Sequence, residues 1–251
     1  MGTLTIDINC DLGEGCGSDA ELMKYISSAN IACGYHAGDA TTMRKTVDLA
    51  IDRGVAIGAH PGYQDRENFG RTAMKMAPKQ VHKIVTDQIS VLNEIARSSG
   101  GRLNHVKPHG ALYNQSAVEP EIAAAIAAAI RDFDDTLVLF GLSGSTSITE
   151  AANLGLRTAA EVFADRTYQT DGTLTPRTEP NALIYDTEEA ITQVLDMIKY
   201  GRVRSVDAIM IPIVAETVCI HGDGEKAVEF AKAIQFRVQA LVCSSRLNLE
   251  L

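Results

Sequence analysis

Along this chain, short apolar runs alternate with longer segments whose apolar residues recur every three or four positions. The runs end in Gly, His or Asp. They predict seven strands: Thr5–Cys10, Asn30–Cys33, Val55–Ala59, Leu103–Lys107, Thr136–Gly141, Arg157–Phe163 and Glu216–Ile220. Helices are predicted between them. Asp39 to Arg53 puts Met43, Val47, Ala50 and Ile51 on one face and stops at Gly54. Pro78 to Ser98 opens with a proline suited to a first helical turn and repeats Val81, Ile84, Val85, Leu92 and Ile95. Glu119 to Phe133 spaces Ile122, Ile126 and Ile130 on an Ala-rich face, and Asp186 to Tyr200 opens with the capping-box-like D-T-E-E and closes at Gly201. A further helix is expected around Thr149, and the last clear one runs from Asp223 to Ile234.

Strand and helix in strict alternation predict a parallel sheet with right-handed crossovers. A doubly wound fold would need a phosphate-binding glycine loop after the first strand. Here that loop is D-L-G-E-G-C-G, with the glycines out of register and two acids, Asp11 and Glu14, that would repel a pyrophosphate. The α/β barrel is therefore the expected class, as one domain spanning residues 1–251.

The faces of the strands carry the chemistry. On the first strand Thr5, Asp7, Asn9 and Asp11 share one side, and Ile6, Ile8, Cys10 and Leu12 the other. In a barrel wrapped by helices the apolar side faces outward, so the polar side points in. The bland alternative is a solvated edge strand. His36 and His60 follow the second and third strands, where barrel enzymes place catalytic groups. Asp39 has a simpler role available, capping the helix that begins at Ala40. The fourth strand gives V-K-P-H-G-A-L-Y, with Lys107 and His109 on one face and His105 one step deeper. A lysine inside a barrel needs an anionic partner, such as Glu161, or a lowered pKa. After the fifth strand, Ser143, Gly144 and Ser145 open a helix and suit a phosphate or carboxylate, although the Lys of a Walker loop is missing. Glu161, Asp165, Arg166 and Tyr168 follow the sixth strand, with Arg177 beyond as a candidate anion clamp. His221 and Asp223 follow the seventh, and Asp223 could again be a cap.

Composition narrows the partners. A net charge of -9 gives no electrostatic help toward a phosphate backbone, and aromatics at 5% without Trp offer few stacking platforms, so nucleic acid is not expected. No apolar run is long enough to span a membrane. Cys10, Cys16, Cys33, Cys219 and Cys243 are odd in number and lack a C-x-x-C, and no signal peptide is visible. Reduced thiols and a cytoplasmic location are the expectation.

Eight segments resemble the LamB/YcsF family, whose members are 5-oxoprolinase A subunits: D-I-N-C-D-L-G-E (7–14), S-A-N-I-A-C-G-Y-H-A-G-D (28–39), G-V-A-I-G-A-H-P-G-Y (54–63), F-G-R (69–71), V-K-P-H-G-A-L-Y-N (106–114), E-V-F-A-D-R-T-Y (161–168), D-G-T-L-T-P-R (171–177) and I-H-G-D (220–223). They cover the chain in order. The resemblance implies a distorted, TIM-like seven-stranded (β/α) barrel of the glycoside hydrolase/deacetylase type. It also implies ATP-dependent opening of 5-oxo-L-proline to L-glutamate with two other subunits. On that reading Asp11, Glu14, Asp39, Lys107 and His109 are the expected catalytic groups, with Asp11 or Asp39 as base. Lys107 and Arg177 would hold the substrate carboxylate or phosphate, and Ser143, Gly144, Ser145 and Arg177 would face ATP. Asp11, His36 and His60 would be the set for a divalent metal (Mg, Mn or Zn). Two other classes stay open: a stand-alone metal-dependent deacetylase or amidohydrolase, and a non-catalytic subunit that only binds substrate.

Overall fold

The computed structural model describes residues 6–224 and 226–247, with side chains as far as residue 240. Seven parallel strands close into a barrel in the order β1 (Asp7–Leu12), β2 (Ser28–Ala32), β3 (Ala56–His60), β4 (Leu103–Val106), β5 (Val138–Leu142), β6 (Arg157–Phe163) and β9 (Thr217–His221). The expected α/β barrel is the fold found. Strand ends differ from the sequence reading by one or two residues, and Thr5 lies outside the described residues. The helices are α1 (Asp19–Leu22), α2 (Ala40–Arg53), α3 (Pro78–Ser98), α4 (Gly110–Val118), α5 (Pro120–Phe133), α6 (Thr146–Asn153), α7 (Thr187–Tyr200) and α8 (Ala227–Leu247).

Local chemistry explains most boundaries. Asp39 accepts a hydrogen bond from Thr42 N at the start of α2, and Asp186 does the same from Glu189 N at α7. Gly54 and Gly201 end those helices at φ 67° and 60°, the left-handed region glycine enters without a Cβ clash. The capping alternative for Asp223 is not taken up: α8 starts at Ala227, and Asp223 pairs with Arg71 at 2.6 Å. Several elements go beyond the sequence reading. Helix α4 buries Ala111, Leu112, Tyr113, Ser116 and Ala117, too many sides for an apolar stripe to show. Strands β7 (Arg202–Arg204) and β8 (Met210–Pro212) form a hairpin of three-residue strands, and α1 is a single turn.

On β1, Ile8, Cys10 and Leu12 pack into the apolar shell beneath the helices, while Asn9 and Asp11 face the barrel interior and are buried. The inward polar face is thus the one found. Register then builds a layer: Asp11 lies opposite Asn30, Asn30 opposite Gly58, and Gly58 opposite His105. Gly58 is where the His105 ring fits, since a Cβ there would come within 2.0 Å of Nε2. Cys10, Cys16, Cys33 and Cys219 are free thiols, and Cys243 lies beyond the described side chains. Among the described residues no helix is long and apolar enough to cross a membrane.

Candidate active site

A cavity of about 420 Å³ opens at the C-terminal ends of the barrel strands, within the range of small-molecule sites. Asp11, Glu14, His60, Lys107 and His109 line it, together with Arg166, Arg177 and His221.

Deepest lies an ionic cluster around Lys107. Its Nζ sits 2.9 Å from Asp11 Oδ1, 2.9 Å from Glu161 Oε1, 2.9 Å from Cys219 Sγ and 3.3 Å from Asn9 Oδ1. The anionic-partner reading of the buried lysine holds, with Glu161 as one partner and Asp11 as the other. Asn30 Nδ2 donates to Asp11 Oδ1 at 2.8 Å and to Asn9 Oδ1 at 2.7 Å; Asn9 Nδ2 donates to Glu161 and to Thr217. His105 Nε2 donates to Asn30 Oδ1 at 2.8 Å while its ring stacks on Phe140. Burial would push Lys107 down, but Asp11, Cys219 and Glu161 overcome it and hold the ammonium well above its ordinary value. Burial would likewise raise Asp11, yet His60 and Lys107 keep its carboxyl well below the usual range. Both groups stay charged, and Lys107 is a fixed cation rather than a base.

Above it lies a histidine cluster. His60 Nδ1 donates to the Lys107 carbonyl at 2.7 Å, and His109 Nε2 donates to the Phe69 carbonyl at 2.9 Å. These anchors make His60 Nδ1 and His109 Nε2 donors to carbonyl oxygens. The remaining nitrogens, His60 Nε2 and His109 Nδ1, lie 2.9 Å apart. Glu14 Oε1 points at the same spot, 3.2 Å from His36 Nε2, 3.4 Å from His109 Nδ1 and 3.9 Å from His60 Nε2. His36 stacks on His109 with ring centroids 3.7 Å apart, and its Nδ1 is buried with no partner. Burial, reinforced by neighbouring imidazoles, holds His36 and His109 well below their ordinary values, in the neutral form that ligates metals. Burial and the Asp11 charge push Glu14 up. The backbone closes around these rings. Phe69 sits at φ 56°, unusual for a bulky residue, and presents its carbonyl to His109. A Cβ on Gly70 would come within 2.8 Å of His36 and 2.9 Å of His109.

The donor atoms of Glu14, His36, His60 and His109 lie within 4.8 Å of one another and could hold a divalent metal. Three imidazole nitrogens and a carboxyl oxygen converging on one spot are the donor types a divalent cation takes, so these residues fit the group. Three imidazoles suit zinc-like ions better than magnesium. The sequence reading placed Asp11 with His36 and His60 instead. Asp11 Oδ2 is 3.3 Å from His60 Nε2, but its other oxygen is held by Lys107 and Asn30.

Arg177 borders the cavity, together with Arg71 and Arg166, which composition and motif alone did not single out as neighbours. The remaining expected residues lie apart. Asp39 is exposed at its cap. Ser143, Gly144 and Ser145 are outside the cavity lining, and Ser143 Oγ accepts from Val214 N at 2.9 Å. Asn9, Asn30 and Cys219 had no assigned role in the sequence reading. Their only signal was alternation: Asn9 shares its face with Asp11, and Asn30 sits inward on β2.

Fold and site together define a (β/α) barrel of enzyme type with its polar centre at the C-terminal mouth. The chain belongs to the LamB/YcsF family, whose model matches residues 6–246. It is 54% identical over 239 residues to the 5-oxoprolinase A subunit of Geobacillus kaustophilus (strain HTA426), covering 94% of this chain and 93% of that protein. The crystal structure of the lactam utilization protein from Thermus thermophilus is similar with a TM-score of 0.88 and 39% identity, over 95% of this chain and 97% of that one. A putative cellobiose-phosphate cleavage protein from Enterococcus faecalis V583 shares the fold at a TM-score of 0.55 and 14% identity, over 98% and 95% of the two chains.

Proposed function

We propose that this chain is the A subunit of an ATP-dependent 5-oxoprolinase, which opens the lactam of 5-oxo-L-proline to L-glutamate together with two other subunits. The observation that carries this reading is the 54% identity, end to end, with the 5-oxoprolinase A subunit of G. kaustophilus. The cavity supports it: a buried charged floor and the cationic Arg71, Arg166 and Arg177 suit a small carboxylate or a phosphoryl group.

A five-membered lactam is stable, so opening it is coupled to ATP. The amide oxygen attacks the γ-phosphorus and ADP leaves, which makes the ring carbon electrophilic. Water adds to that carbon, and the C–N bond breaks with its electron pair going to nitrogen. The γ-glutamyl phosphate that remains is hydrolysed by a second water to L-glutamate and phosphate. Lys107, Asp11 and Glu161 provide fixed charge beneath the reacting amide, and Arg177 orients the anionic end. A divalent metal on Glu14, His36, His60 and His109 would supply Lewis acidity there.

The test is reconstitution. The chain alone should not release glutamate from 5-oxoproline, and the three-subunit assembly should do so only with ATP. An assembly that ignores 5-oxoproline would end this reading. A second reading, a metal-dependent amidohydrolase, draws on one observation, the four converging donors. It requires hydrolysis by the chain alone without ATP, and a chain purified without metal would count against it.

A further inference from the structure

The reaction just described needs a group that takes a proton from the attacking water and gives one to the departing ring nitrogen. The carboxylates of the charged floor are poorly placed for this. Asp11 Oδ1 accepts from Lys107 and Asn30, and Oδ2 faces His60 at 3.3 Å. Glu161 Oε1 accepts from Lys107 and Asn9, and Glu161 does not line the cavity. Asp39 lies outside on the surface.

On the neighbouring strand, where His221 is the register partner of Asp11, stands an arrangement that the mechanism above leaves unused. His221 Nδ1 lies 2.9 Å from both carboxylate oxygens of Asp165. Its ring lies nearly parallel to Phe163, 5.4 Å between centroids at 20°. That leaves one orientation for the imidazole: Nδ1–H donates to Asp165, and Nε2 makes no hydrogen bond within the described protein. The ring borders the cavity, and one of its nitrogens lies within 4.8 Å of the Asp11 carboxylate. Burial would raise the Asp165 carboxyl, but His221, with Arg177 and Arg166 nearby, holds it below its ordinary range. A carboxylate that fixes the tautomer and orientation of an imidazole whose other nitrogen faces substrate is the arrangement of a general base.

We propose that His221, positioned by Asp165, is the proton carrier of the reaction. Nε2 takes a proton from the water as its oxygen bonds to the ring carbon. It returns that proton to the ring nitrogen as the C–N bond breaks, so the imidazole gains and loses one proton per turnover. Asp165 keeps the Nδ1 proton throughout and is a positioning residue. This rests on the 5-oxoprolinase reading and deepens it.

The experiment is ATP-dependent glutamate release by the reconstituted assembly carrying His221→Gln, His221→Ala or Asp165→Asn. Both His221 variants should lose about 100-fold or more in kcat with KM little changed. Exogenous imidazole should restore part of the His221→Ala rate and none of the Lys107→Met rate, which shows that the variant is folded and lacks only the ring. Asp165→Asn should lower kcat less than removing the ring. If the wild-type assembly releases glutamate while His221→Gln stays within a few-fold of it, or if imidazole rescues nothing, the proton-carrier role is wrong and the function stands. If the wild-type assembly releases no glutamate, the function itself falls, and this role with it.

Discussion

Two polar clusters share the barrel mouth, and they are built on opposite terms. In the deeper one opposite charges meet directly: Lys107 lies between Asp11 and Glu161, Asn30 donates to Asp11 and Asn9 donates to Glu161, while Glu161 Oε2 is left without a hydrogen bond. In the upper one potential metal donors converge instead. His60 Nε2 and His109 Nδ1 lie 2.9 Å apart, Glu14 points at the same spot, and His36 Nδ1 has no partner. Paired opposite charges make a fixed field, whereas converging imidazole and carboxyl donors make a place that could hold a divalent cation.

Breaking the lower cluster should have the largest effect on folding. Lys107→Met leaves Asp11 and Glu161 charged, buried and without their counter-ion, at a cost of about 3–5 kcal/mol in urea unfolding. The double change Lys107→Met with Glu161→Gln should recover part of that loss. Equal losses in the single and double variants would show that the pair is not coupled.

His105 gives the lower cluster a pH signature. Burial lowers its pKa to about 4, so the folded protein holds it neutral while the unfolded chain protonates nearer 6.5. The stabilisation is complete above pH 6.5 and is lost as pH falls toward 4. Its size is about 3 kcal/mol. Chemical denaturation of wild type and His105→Gln between pH 7 and pH 4.5 should show a shallower decline in the variant. Parallel declines would assign the acid sensitivity elsewhere.

The upper cluster should respond to metal instead. A zinc-like ion at a hundredfold excess over Kd should stabilise the wild-type chain by about 2.7 kcal/mol, read as a shift in melting temperature. His109→Ala should abolish that shift, and the same ion should leave the response of Glu161→Gln intact. A shift surviving in His109→Ala would place the ion elsewhere. The smallest effect belongs to Asp39→Ala. It removes the cap of α2, so a slight fall in melting temperature with unchanged turnover is expected; lost turnover would put Asp39 back among the functional groups.

The two clusters were unequally legible in the sequence. Alternation along β1 pointed Asn9 and Asp11 inward, and the cost of a buried lysine pointed to Glu161 before any coordinate did. The upper cluster was read in part. His36, His60 and His109 were picked from strand exits, but the choice of acid depends on how far each side chain reaches. Glu14 stands two residues past β1, on a loop turned by Gly13 and Gly15, and no periodicity fixes where such a loop points. The same holds for Phe69, whose carbonyl orients His109 from a left-handed turn. Cys219 reaches Lys107 because β9 closes the barrel beside β1, across most of the chain length. The motifs after the fifth strand looked alike in composition to a phosphate loop, yet Ser143 serves the connection to β9 rather than the cavity.

What ties both clusters to a reaction is Asp11, which touches Lys107 below and His60 above. The most direct measurement is the rate of ATP-dependent glutamate release by the reconstituted assembly with Asp11→Ala in place of the wild-type chain, with assembly verified by size. If the lactam is opened at this mouth, the rate should fall by about 100-fold or more while the subunits still associate. An intact assembly that keeps its full rate would contradict a catalytic role and leave the chain a binding partner only.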